Sequence, residues 1–198
     1  SVEEPIANSS RLVLPTTMAP AARRRATTVA SRSGTKSRRS ALQQVVVVLS
    51  RDVLLATAQG RIARFHENEV RPMGRDAAGV IGIRLARKGD QVVGMRVVTG
   101  AEDLLVLTET GRGKRTPIRG FMTKHRGGQG VRLIALEGRK TGLVAAVQQV
   151  TEQDEELVLI SAGGQVIRTE TASINRYSAG ARGVIVMRLG GGDTVAAI

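Results

Sequence analysis

The chain has 198 residues, enough for one well-buried core or for several small units that share one. Its formal net charge of +13, from 30 Lys and Arg against 17 Asp and Glu, makes a polyanion the expected partner, with nucleic acid first and an anionic membrane as the rival. Cysteine is absent, which excludes disulfides, thiolate metal sites and cysteine nucleophiles, and the longest apolar run, residues 45–49, has strand length against the about 18 residues that a membrane helix needs.

Residues 1–40 lack apolar periodicity and are rich in Ser, Thr, Ala and Arg, with Arg23-Arg24-Arg25 and Lys36-Ser37-Arg38-Arg39 as charge runs. They read as a disordered basic tail. From residue 41 the texture changes to short Val, Leu and Ile runs separated by Gly and polar turns, the pattern of many short strands. Residues 45–49 read as the last strand of a unit that precedes the first complete one.

Three copies of one pattern follow, at 53–98, 104–150 and 157–198. They align on Gly60, Gly111 and Gly164 and again on Gly79, Gly130 and Gly183, with both steps 51 and then 53 residues. In every copy the two glycines lie 19 residues apart, and an arginine follows the first by four: Arg64, Arg115 and Arg168. The first copy predicts strands at 53–58, 61–65, 79–85 and 91–98, with tight turns at Gln59-Gly60 and Lys88-Gly89-Asp90 and a long loop through Met73-Gly74-Arg75. Four antiparallel strands make a small sheet that cannot bury its faces alone, so a period near 50 residues implies blades stacked on one another. The array reads as interrupted at both ends.

Within the second copy, Lys124-His125-Arg126-Gly127-Gly128-Gln129-Gly130 sets cationic side chains beside bare backbone, a combination suited to a phosphate surface. His66 and His125 are the only histidines, and neither has a paired carboxylate at ligand spacing, so no metal site is expected. No Walker-type phosphate loop occurs, the nearest approach being Gly113-Lys114 before Arg115, and no Gly-x-Ser-x-Gly elbow. No cofactor and no catalytic residue is therefore expected. With Phe65, Phe121 and Tyr177 as the only aromatics, stacking platforms for single strands are not predicted either.

The repeat resembles a blade of the C-terminal domain of DNA gyrase A, and more loosely that of topoisomerase IV. The resemblance rests on Leu54-Leu55-Ala56-Thr57-Ala58-Gln59-Gly60 with Arg64, Arg71-Pro72-Met73-Gly74-Arg75, and Gly79-Val80-Ile81-Gly82. It continues at Gly111-Arg112-Gly113-Lys114-Arg115-Thr116, Arg126-Gly127-Gly128-Gln129-Gly130-Val131 and Gly164-Gln165-Val166-Ile167-Arg168-Thr169. The heptapeptide is similar to the family's Gln-Arg-Arg-Gly-Gly-Lys-Gly box and matches it at Arg126, Gly127, Gly128 and Gly130. It departs from the box at Lys124, His125 and Gln129, as a degenerate copy does.

The resemblance implies an all-β fold, a propeller-like β-pinwheel of about three four-stranded blades over residues 41–198. It also implies sequence-independent binding and bending of double-stranded DNA on a basic rim, beside other topoisomerase domains or subunits in a bacterial cytoplasm. The family's strand-cleaving tyrosine belongs to a separate domain, so Tyr177 is not that nucleophile. Arg71, Arg75, Arg112, Lys114, Arg119, Lys124 and Arg126 fall in turns and long loops, where a rim would lie, and are the expected DNA contacts. Arg64, Arg115 and Arg168 recur even in the acidic third copy, which favours a structural role. The glycines Gly60, Gly79, Gly111, Gly130, Gly164 and Gly183 are expected to shape turns and carry no chemistry. Two other readings stand beside this one: a propeller-like protein-interaction module for an acidic partner, and RNA binding by the tail.

Overall fold

The computed structural model describes residues 51–153 and 156–198. The tail at 1–40, the strand expected at 45–49, and Asp154 and Glu155 lie outside the described residues. Among those described, the structure is all-β, its helical segments being single 3-10 turns such as Glu67–Glu69, Ile118–Gly120 and Thr171–Ser173.

Each copy opens with a hairpin. β1 (Asp52–Thr57) pairs antiparallel with β2 (Arg61–His66), β4 (Asp103–Thr108) with β5 (Arg112–Pro117), and β8 (Glu156–Ser161) with β9 (Val166–Glu170). The turns close on Gly60, Gly111 and Gly164 at φ of 72°, 77° and 85°, a region that a Cβ makes costly. The last strand of each copy returns beside the first: β3 (Val92–Val98) on β1, β7 (Val144–Val150) on β4, and β11 (Val195–Ala197) on β8.

The remaining strand does not go where the sequence reading put it. Residues 79–85 form no strand of the first sheet. Instead β6 (Val131–Arg132), from the second copy, pairs with β2 of the first, and β10 (Val184–Ile185), from the third, pairs with β5 of the second. The sheet orders are β3-β1-β2-β6, β10-β5-β4-β7 and β11-β8-β9, so each of the first two blades is completed by the following copy. Gly130 and Gly183 permit this crossing. A Cβ on either would lie 2.5 Å from a backbone oxygen of the preceding blade, Ile62 O and Gly113 O respectively. A two-residue strand carries the same alternation whichever edge it joins, so its pattern alone did not reveal its sheet.

Both faces of the leading strands are covered, which is why β1 and β4 read as unbroken apolar runs. Leu54, Ala56 and Ile62 of the first blade share a core with Leu104, Val106, Ile118, Phe121 and Leu133 of the second copy. Leu105 clusters with Ile174 of the third copy, and Leu107 with Met187.

The recurring arginine locks these junctions. Arg64 Nε donates to Asp52 Oδ2 at 2.7 Å, while its Nη1 donates to the carbonyls of Ile118 (3.0 Å) and Phe121 (2.9 Å) in the next copy. Arg115 repeats the arrangement: Nη1 lies 3.8 Å from Asp103 Oδ2, and Nε donates to Ile174 O at 2.7 Å. Arg168 pairs, among the described residues, with Glu156, and its side chain is 70% exposed, against 13% and 14% for the other two. Replacing Arg115 with alanine leaves the Ile174 carbonyl without this donor, while Asp103 keeps Arg176 Nη2 at 2.7 Å, so a loss of about 1–3 kcal/mol is expected in urea unfolding followed by circular dichroism. Arg168→Ala is expected to cost less than about 1 kcal/mol in the same measurement.

Candidate nucleic-acid interface

The heptapeptide at 124–130 forms a corner laid against the first blade. The Lys124 N–H donates to Arg64 O at 2.8 Å, and Arg61 donates through Nε to Gln129 O (3.3 Å) and through Nη2 to Gly130 O (3.1 Å). Arg126 is half-buried and faces inward. Its Nε donates to Glu69 O at 3.0 Å, its Nη1 to Ile81 O at 3.2 Å, and its backbone N–H to Glu69 Oε2 at 2.9 Å. It therefore shapes the corner through backbone carbonyls, and the corner's outward charge comes from Lys124, with fully exposed His125 3.5 Å from Glu69.

Successive corners are stitched to one another. Gly127 N–H donates to Gly82 O at 2.7 Å and Arg84 N–H to Gly128 O at 2.8 Å. The same pair of bonds recurs one copy later, from Gly180 to Leu133 O and from Ala135 to Ala181 O, each at 3.3 Å. The long loops thus form a continuous backbone ladder across the blades rather than three separate turns. Gly127, Gly130, Gly180 and Gly183 all have positive φ there.

Of the sequence-predicted contacts, Arg71, Arg75, Arg119 and Lys124 are exposed, and Arg112 and Arg126 are half-buried. Arg84 and Arg132 were missed. Both are exposed and belong to the ladder: Arg84 through its N–H to Gly128, Arg132 through a side-chain stem that lies over Gly180. The available signal was their place downstream of the repeat glycines, five residues after Gly79 and two after Gly130. Charge is uneven along the array. Residues 53–100 carry eight basic and four acidic side chains and 101–150 nine and four, whereas 151–198 carry four and six, so a polyanion is favoured by the first two copies and not by the third.

Lys114 corrects the sequence reading. It is fully buried, and its Nζ donates to Ser178 O at 2.6 Å, under the third copy's corner. Aligning the copies sets Lys114 opposite Ala63 and Ile167, and two apolar neighbours at one register position were the signal that it points inward. Desolvation by burial lowers its pKa from 10.5 to about 8. Since the folded value lies below the unfolded one, the penalty for charging this amine is fully present below pH 8 and fades as pH rises from 8 to 10.5. Lys114→Met is expected to raise stability at pH 7 by about 1–3 kcal/mol and to remove the stability gain between pH 8 and 10.5. Urea unfolding at several pH values checks both.

Among the described residues no group of three or more His, Asp or Glu side chains is placed to hold a metal ion, and no helix is long and apolar enough to cross a membrane. The family described as DNA gyrase C-terminal domain, beta-propeller, matches residues 51–99, 102–151 and 155–198, one segment per copy. The chain belongs to this family.

As a member of the DNA gyrase C-terminal domain family, it is similar to the DNA gyrase A protein of Aminobacterium colombiense, at 46% identity over 156 residues. That alignment covers 78% of this chain and 19% of the relative. It is also 38% identical over 149 residues to the DNA gyrase A protein of Staphylococcus epidermidis, covering 74% of this chain and 16% of that protein. The chain thus spans less than a fifth of the length of these relatives. Among solved structures, a DNA gyrase A C-terminal domain superposes with a TM-score of 0.67 at 28% identity, over 74% of this chain and 49% of that one. The C-terminal domain of a DNA topoisomerase IV shares the fold, with a TM-score of 0.67 at 22% identity over 75% and 46% of the two chains.

Proposed function

We propose that this chain binds and bends duplex DNA without reading its sequence, as a non-catalytic part of a type II DNA topoisomerase of the gyrase A kind. The observation that carries the reading is the corner ladder: exposed Arg71, Arg75, Arg84, Lys124 and Arg132 sit on or beside one continuous glycine-rich backbone path across the two basic copies. Cations spaced along a path neutralise successive phosphates, and contacts of this kind position a duplex without specifying bases. Bending 20–30 base pairs costs on the order of 1–6 kcal/mol, which added phosphate contacts on a rim offset. Cleavage and ATP hydrolysis are left to other domains or subunits, with which this one would act in a bacterial cytoplasm.

The test is topological. A nicked circle is saturated with the chain, ligated and deproteinised. The expected result is a shift of the topoisomer distribution relative to circles ligated without protein, lost at high salt. An unshifted distribution at saturating protein would rule out wrapping.

A further inference from the structure

We propose that the junction between the second and third copies holds a site for the phosphates of a nucleotide, built by Arg112, Lys140 and Arg188. The inference does not depend on the duplex reading, because it rests on cations outside the corner ladder.

A shallow cavity of about 570 Å³ opens where the turn between β4 and β5, the 3-10 turn Gly138–Lys140 and residues 185–193 of the third copy meet. Half-buried Arg112 lines it from the first of these, exposed Lys140 from the second and exposed Arg188 from the third. Among the described residues none of these three cationic side chains has a hydrogen-bond or ion-pair partner. The acid in the lining, Asp193, is already engaged: its Oδ1 accepts the N–H groups of Gly163 and Thr194, both at 2.8 Å. Three positive charges thus share one cavity with a single carboxylate, an excess that a bound anion relieves.

The repeat itself does not require this cluster. At the first junction the places of Arg112, Lys140 and Arg188 are taken by Arg61, Gly89 and Ala135. Arg61 is spent on the carbonyls of Gln129 and Gly130, and the other two positions carry no charge. The third copy isolates Arg188 further. Its other cations each meet an acid, Arg168 with Glu156, Arg176 with Asp103 at 2.7 Å and Arg182 with Glu137 at 2.7 Å, so among the described residues Arg188 is the one left unmatched.

The lining also fits the rest of a nucleotide. Two guanidinium forks and an ammonium suit the oxygens of linked phosphates. Ile185, 52% exposed, lines the same cavity with Met187 and Leu189, an apolar surface for a sugar or a base. The volume falls within the roughly 300–1,000 Å³ of small-molecule sites. A free nucleotide and a nucleic-acid strand both present this chemistry.

Isothermal titration of the full chain with UTP and with inorganic triphosphate tests the site. Saturable binding of both is expected, with UTP the tighter. Arg188→Ala and Lys140→Ala should each weaken both probes by about tenfold, the loss of one charge-assisted contact. Ile185→Ala should remove the preference for UTP and leave triphosphate binding as it was. In urea unfolding without ligand, Arg188→Ala should be as stable as the wild type, since no partner is lost, and a clear loss of stability would make this arginine structural and overturn the proposal. Repeating the UTP titration in the presence of excess duplex DNA separates the two sources: unchanged binding assigns the cavity to free nucleotide, and its loss assigns the cavity to the strand. No saturable binding of either probe, or wild-type affinity in both alanine variants, overturns the proposal.

Discussion

Gly111→Ala is expected to cost about 3–5 kcal/mol in urea unfolding, whereas Gly164→Ala, at the same register position, should cost about 1–2 kcal/mol. Both glycines have positive φ, so both substitutions carry the left-handed penalty. Only at Gly111 is there no room. A Cβ there would lie 2.1 Å from Met187 O and 3.1 Å from Met187 C, and backbone cannot swing aside as a side-chain tip can. Gly111 O also accepts the N–H groups of Val186 (2.9 Å) and Met187 (3.0 Å), so relief of the clash would pull apart two hydrogen bonds and the packing of Leu107 on Met187. Around Gly164 nothing lies within 4 Å of the added atom. Circular dichroism through a urea titration measures both variants. Equal losses would mean that φ alone matters and that the close approach between copies is not a constraint.

The triple change Arg71→Ala, Arg75→Ala and Lys124→Ala is expected to flatten the dependence of log affinity for duplex DNA on log salt by about 0.9 for each phosphate no longer neutralised, about 2.7 in all if each cation neutralises one. Binding at low salt should weaken by roughly tenfold or more, alike for unrelated sequences. All three residues are exposed, and their side chains hold no part of the core, so the fold should survive. Arg126→Ala is a poorer probe. Its guanidinium holds Glu69 O and Ile81 O, so its loss would loosen the corner and mix a stability effect into the binding. Arg168→Ala, on the acidic third copy, should barely change the slope. Fluorescence anisotropy at several salt concentrations measures each variant, and a wild-type slope in the triple variant would place the duplex elsewhere.

Some of the arginines show how far a residue's role could be read before the fold was known. Arg64 and Arg115 recur at one position, and that recurrence in an acidic copy pointed to structure. The acid twelve residues upstream, Asp52, Asp103 or Glu156, recurs just as regularly and was overlooked. The carbonyls that Arg64 and Arg115 grip in the next copy had no sequence signal, because a carbonyl is the same in every residue. The loop and turn neighbours of Arg126 and Lys114 suggest outward charge. Arg126 spends its donors on backbone oxygens, and Lys114 lies at an apolar register position beneath another copy's corner.

The all-β class, the repeat and its period, the hairpins and the turns that need glycine are legible along the chain, because these depend on contacts between residues close in sequence. Short-range alternation and positive φ leave their mark residue by residue. Packing between copies settled that Val131–Arg132 and Val184–Ile185 complete the preceding sheets and that the corners join into one ladder. Each of these depends on which of several equivalent edges a segment meets across about 50 residues or more of chain. Copies of one repeat offer nearly the same edge each time, so that choice is made by packing between blades and is not written in any one of them.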